Sequence, residues 1–127
     1  MDVMKTHGAF SWSELVTSDP AAASGFYSQL FGWTVKELGP EMNGYRVANI
    51  GSDGVGGIMA VPAQAQGMPP NWGVYVTVKN LDETLATAQQ LGALIRMEPM
   101  DVPGVGRMAV FSDPQGATLS VIQYPES

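Results

Sequence analysis

Two stretches decide the fold: residues 12–33, WSELVTSDPAAASGFYSQLFGW, and residues 72–93, WGVYVTVKNLDETLATAQQLGA. The first continues an alternating, aromatic and β-branched run from residue 9, which predicts a strand over 9–17. Asp19-Pro20 then supplies an N-cap and a residue favoured at the first helical position, so a helix is expected over 20–31. Ala23, Phe26, Tyr27 and Leu30 recur at helical spacing as its apolar face, and Gly32 ends it. In the second stretch 72–78 reads as a strand. Asn80 with Glu83 forms a cap-and-N3 pair opening a second helix, with Leu81, Leu85, Ala88 and Leu91 on one face and Gly92 at its end.

Three short strands are expected after each helix. In the first half they fall at 33–38, 45–50 and 55–61, split by Gly39-Pro40 with Asn43-Gly44 and by Gly51-Ser52-Asp53-Gly54. In the second half they fall at 93–97, 107–111 and 117–123, split by 99–106 and by Asp113-Pro114-Gln115-Gly116. A shift of 60 residues superposes Trp12 on Trp72, Val16 on Val76, Thr17 on Thr77, Gln29 on Gln89 and Gly32 on Gly92. The shared element order makes this an internal duplication. The predicted class is α+β: two βαβββ modules in one domain, with one helix on the outer face of each sheet. The modules are expected at 9–62 and 72–124, joined by a connector at 63–71, and residues 1–8 read as a loose leader. Two such sheets facing each other form a half-barrel cleft, a natural place for a small ligand. Open sheet edges also favour a homodimer.

The 127 residues fit one domain. Hydrophobic residues make up 45%, enough for a core, while charged residues are 14%, well below the roughly 25% of an average soluble chain. No apolar run approaches the ~20 residues of a membrane span, and no secretory signal is expected. Six dispersed Lys and Arg against 12 Asp and Glu, a net charge of −6, cannot form the basic face that nucleic acid requires. No cationic amphipathic segment points to a membrane surface. The expected compartment is the cytoplasm. With no Cys there is no disulfide, thiolate zinc site or thiol nucleophile, and one His, His7, excludes a multi-histidine metal site. Without an available His no Ser-based triad can be built. Residues 51–57, GSDGVGG, lack the context of a phosphate-binding loop, so these glycines read as a turn or a close backbone approach.

At this level of detail the chain resembles the vicinal oxygen chelate superfamily, which holds glyoxalase I, bleomycin-resistance proteins and extradiol dioxygenases. The motifs are Trp12-x-Glu14-Leu15-x-Thr17-x-Asp19, Phe26-Tyr27-x-x-Leu30-Phe31-Gly32-Trp33, Gly56-Gly57-Ile58-Met59, Trp72-x-x-Tyr75-Val76-x-Val78, Leu91-Gly92, Val105-Gly106-Arg107 and Asp113-Pro114-x-Gly116-Ala117. The wording is most similar to a glyoxalase-like branch of bacterial proteins. The resemblance implies a divalent metal held by His, Glu or Gln from the first and fourth strand of each module. Those slots map here to Trp12, to 57–59, to Gly73 and to Ser120. An indole, glycines or aliphatic groups and a hydroxyl are not metal ligands. No metal and no cofactor are therefore expected, and metal-dependent glyoxalase or dioxygenase activity is not.

Strand alternation places Trp12, Glu14 and Val16 on one face. The Val74, Val76 and Val78 face suits a helix, which sends Tyr75 and Thr77 the other way. Thr118 and Ser120 likewise oppose Leu119 and Val121. The predicted ligand-binding set is therefore Trp12, Glu14, Tyr75, Thr77, Thr118 and Ser120, with Glu14 the candidate catalytic group. Glu14 could instead be a structural partner of Arg46 or Arg107. Aromatic bodies with a few polar tips fit a planar or cationic small molecule. The expected function is metal-free small-molecule binding of the glyoxalase and bleomycin-resistance type. Two alternatives stand beside it: a metal-independent isomerase or lyase with Glu14 as general base, and a glyoxalase-like module with a vestigial site.

Overall fold

The computed structural model describes residues 1–40, 44–63, 67–102 and 105–126. Asn43 of the first expected turn, 64–66 of the connector and 103–104 of the 99–106 separator lie outside the described residues. The fold is α+β, with eight strands and two α-helices among the described residues. Two compact units are formed, Trp12–Gly73 and Met1–Ser11 with Val74–Ser127.

The Trp12–Gly73 unit takes its first strand from β1 (Phe10–Thr17), followed by α1 (Pro20–Phe31), β2 (Thr34–Glu37), β3 (Arg46–Ile50) and β4 (Asp53–Ala60), in sheet order β2-β3-β4-β1. β1 and β4 pair in parallel, with Glu14 opposite Gly57 and Leu15 opposite Ile58, while the other pairs are antiparallel. The parallel pair requires a long crossover, which α1, β2 and β3 supply. The Asp19 carboxylate accepts from Ala22 N–H at 3.0 Å, and Gly32 adopts the left-handed conformation that stops the helix.

The expected apolar face of α1 is not the buried one. Ser24 is the helix residue that is fully buried, its hydroxyl donating to the Pro20 carbonyl, while Phe26 and Leu30 are 60% and 57% exposed. Small residues let the helix lie close to its sheet, so the bulky ones turn outward.

The other unit takes β5 (Asn71–Thr77), α2 (Leu81–Gln90), β6 (Leu94–Val102), β7 (Gly106–Ser112) and β8 (Thr118–Gln123), in sheet order β5-β8-β7-β6. α2 covers one face. Val78, Leu81, Leu85, Ala109 and Val121 form the core there, with Val76, Ile95 and Phe111 packed against it. Leu91 is not part of this face: the helix ends at Gln90, and Leu91 stands exposed as its cap. β6 runs on to Val102, through residues expected to be a separator. It is an edge strand with register shifts on either side of Met97, and edges and bulges tolerate Pro99.

Nor is the leader loose. Val3–Lys5 form a 3-10 turn capped by Asp2. The Gly8 N–H donates to the Thr77 carbonyl and the Thr77 N–H to the Ala9 carbonyl, both at 2.8 Å. The N–H and the carbonyl of Thr77, at the end of β5, are thereby both satisfied.

Candidate functional site

In the Trp12–Gly73 unit the sheet register separates two faces. Leu15, Ile58 and Ala48 share one, and all three are buried. Glu14, opposite Gly57, belongs to the other. Here the sequence reading missed the central residue, Tyr45. The Trp12 indole Nε1–H donates to the Tyr45 hydroxyl at 2.9 Å, and that hydroxyl donates to Glu14 Oε2 at 2.7 Å. The direction of this chain is fixed. An indole N–H can only donate, so the phenolic oxygen must accept from it and pass its own proton toward the carboxylate. Glu14 is 4% exposed, so its carboxyl group meets the Tyr45 hydroxyl rather than bulk water.

Gly57 makes the arrangement possible. A Cβ at this position would overlap the Tyr45 phenol. The Gly56-Gly57 pair inside a strand was the available signal, since an interior strand glycine often marks close approach by another group. The expected arginine partners of Glu14 make their ion pairs elsewhere. Arg46 pairs with Glu37 at 3.3 Å, and Arg107 with Asp82 at 3.1 Å and Asp101 at 3.4 Å. Arg46 stands opposite Ile58, on the face away from Glu14.

In the other unit, Tyr75 pairs with Ser120, and Ser120 with Val110, on the face away from α2. Thr118, opposite Ser112, shares that face. Tyr75 is buried, Ser120 half-buried and Thr118 exposed. Thr77 is buried too, and its hydroxyl donates to the Val3 carbonyl at 2.7 Å. That hydroxyl serves to hold the leader.

The donor chemistry at the slots for a family metal does not fit a divalent ion. The Trp12 indole offers only a proton, Gly57 faces a phenol, Ile58 and Met59 are aliphatic or thioether, Gly73 has no side chain, and Ser120 offers one neutral hydroxyl. Among the described residues, no group of three or more His, Cys, Asp or Glu is placed to hold a metal ion. Nδ1 of His7 accepts from the Lys79 backbone N–H at 3.1 Å, a structural role. No described helix is long and apolar enough to cross a membrane.

A βαβββ strand order repeated around a parallel β1–β4 and a parallel β5–β8 pair is the architecture of one protein class, and the chain belongs to it: the Glyoxalase/Bleomycin resistance protein/Dioxygenase superfamily, whose model matches residues 9–121. CFP32 of Mycobacterium tuberculosis, which carries a provisional glyoxylase name, is 42% identical over 118 residues, covering 91% of this chain and 44% of that protein. The anthracycline biosynthesis protein DauV of Streptomyces sp. strain C5 is 37% identical over 131 residues, covering 90% of this chain and 46% of that protein. The chain thus spans less than half the length of these relatives. Among solved structures, a superfamily member from Vibrio splendidus 12B01 shares the fold with a TM-score of 0.59 at 12% identity, covering 90% of this chain and 98% of its counterpart.

Proposed function

We propose that the protein binds a planar aromatic small molecule without a metal ion, using Trp12 and Glu14 as its aromatic and polar contacts. The observation that carries this reading is the Trp12–Tyr45–Glu14 chain. It fixes an indole and a carboxylate on one sheet face through a shared phenol. Such a face offers stacking area together with a preset acceptor, which a flat ligand bearing hydroxyl or cationic donors can use. The name of the Streptomyces relative, an anthracycline biosynthesis protein, supports an aromatic ligand. Tyr75, Thr118 and Ser120 are proposed as ligand contacts on the sheet face of their own unit, and the cytoplasm as the compartment.

The test is titration of Trp fluorescence with a hydroxylated anthraquinone, in the presence and absence of a chelator. Saturable binding that survives chelation is expected. No binding, or binding that a chelator abolishes and zinc restores, overturns the reading.

A second reading, a metal-independent isomerase or lyase with Glu14 as general base, draws on one feature. The carboxylate is held as a hydrogen-bond acceptor by a donor that cannot reverse. Glu14→Gln separates the two: turnover would vanish in an enzyme, whereas binding of a neutral ligand would change only a few-fold.

We also propose a homodimer joined through α1. Its twelve residues include no charged side chain, although the chain carries a net charge of −6. Phe26, Leu30, Phe31 and Trp72 are all more than 40% exposed around it. An uncharged aromatic face lets two acidic copies meet without like-charge repulsion, and a twofold contact needs only such a self-complementary patch.

A further inference from the structure

The sheet face of β5, β8, β7 and β6 that lies away from α2 carries a cation that the sequence reading passed over. Ile95 pairs with Phe111 and Met97 with Val110, so Arg96 is an extra residue on β6 opposite a single step of β7. This is a β-bulge, a device that redirects a side chain locally. Here it sends the Arg96 guanidinium along the face, where Nε–H donates to the Ser112 hydroxyl at 2.7 Å. Ser112 is 3% exposed, so the anchor is rigid while Arg96 itself is exposed. Of the three arginines, Arg46 and Arg107 pair with carboxylates. Among the described residues Arg96 has no carboxylate within ion-pair distance. Its surroundings on the face are mostly apolar: Leu94, 60% exposed and opposite Ser112, together with Met97 and Val110, with Ser120 and Thr118 beyond them.

We propose that Arg96 is an anion-recognition residue, and that this face takes an aromatic carboxylate, the ring lying on the apolar strand residues and the carboxylate on the guanidinium. The argument is charge complementarity. A guanidinium whose Nε is already spent presents its two terminal nitrogens as a fork that matches a carboxylate, and anchoring removes much of the ordering cost. In a chain with twice as many acidic as basic residues, a cation kept clear of its own carboxylates is available to a ligand's. The face includes Thr118 and Ser120, proposed above as contacts, but the Arg96 proposal does not rest on the Trp12–Glu14 reading, and the two fail separately.

The experiment compares 2-naphthoate with 2-naphthamide, which share a ring and differ in charge. Calorimetry on the whole chain should show the carboxylate bound at least tenfold more tightly. Arg96→Met should bring the two within about twofold, and Arg96→Lys should fall between, because ammonium lacks the fork. Ser112→Ala should weaken naphthoate binding and leave naphthamide unchanged. The Arg96 Nε–H resonance should move on adding naphthoate to the wild-type protein and stay still with naphthamide. This arm decides the matter even if a variant fails to fold. Equal affinity for the two probes, an unmoved Nε–H signal at saturating naphthoate, or no naphthoate binding overturns the proposal. In none of these cases is the anthraquinone result at Trp12 and Glu14 affected.

Discussion

The Tyr45 hydroxyl occupies the space beside Gly57 that a side chain there would need. Trp12 and Glu14 both reach that hydroxyl, so the glycine and the tyrosine are one feature written at two positions. Gly57→Ala must displace the ring, breaking both hydrogen bonds and leaving the Glu14 carboxylate short of a donor. Overpacking and a lost buried partner together should cost about 2–5 kcal/mol. Tyr45→Ala loses the same bonds but clears the space. Adding Gly57→Ala to it should therefore cost far less than in the wild-type background. Urea denaturation of the four proteins in a double-mutant cycle checks this. Additive costs would show that the two residues do not share the space.

Tyr124 offers a test by pH. Burial raises the pKa of its phenol above the ordinary tyrosine value, partly offset by the hydrogen bond with Ser11 at 2.9 Å. The folded protein thus keeps this proton at a pH where the unfolded chain has begun to release it. The folded state binds more protons there, so stability falls as pH rises. The contribution is fully present below the usual tyrosine range, around 10, and is lost as pH climbs through the raised folded value. Tyr124→Phe should flatten this alkaline slope while costing about 1 kcal/mol at neutral pH for the Ser11 contact. Denaturation midpoints across the alkaline range measure both effects. An unchanged slope would show that Tyr124 is not its source.

Local chemistry made most of the fold legible. Asp19-Pro20 and Asn80 with Glu83 mark helix starts because caps act within one turn, and both act as expected. Val76 and Val78 pack in the core under α2 as period-two alternation predicts, while Val74 of the same expected face is 42% exposed. What could not be read depends on partners distant in sequence. Tyr45 lies 31 residues from Glu14 and one residue before β3, and although the strand expected at 45–50 begins with it, alternation within one strand cannot name a partner on another. Arg96 was hidden by the bulge, since simple alternation assumes that every residue advances the pleat by one. The α1 face was misjudged for another reason. Helical spacing identifies a stripe of large apolar residues, but Ser24 and its small neighbours allow closer packing against the sheet.

The docked leader makes its own prediction. Thr77 is buried, and its hydroxyl is joined to the Val3 carbonyl. Thr77→Val keeps the shape and leaves that carbonyl without this donor. A loss of about 1 kcal/mol is expected, with faster amide hydrogen exchange at Gly8 and Thr77, whose N–H groups tie the leader to β5. Unaltered exchange at both amides would mean that the backbone bonds alone hold the segment.

The α1 face gives the sharpest test of assembly. Tyr27 is the hub of its aromatic cluster: its ring stacks on Trp33 at 5.8 Å and meets Trp72 edge-on at 5.3 Å, and its hydroxyl accepts from Trp72 Nε1–H at 3.0 Å. Phe26 and Phe31 lie at the outside of the cluster, 60% and 59% exposed. Replacing both with Ser leaves the Tyr27–Trp72 bond and the buried Ser24 untouched. The monomer's stability should therefore change little, because exposed positions contribute little to it. A dimer held through this face would lose two aromatic anchors, and an interface anchor of the hot-spot kind costs about 2 kcal/mol or more when truncated. The expected outcome in sedimentation equilibrium is a dimeric wild type and a largely monomeric double variant with the same circular dichroism. A monomeric wild type, or a double variant that dimerises as tightly, removes α1 from the interface.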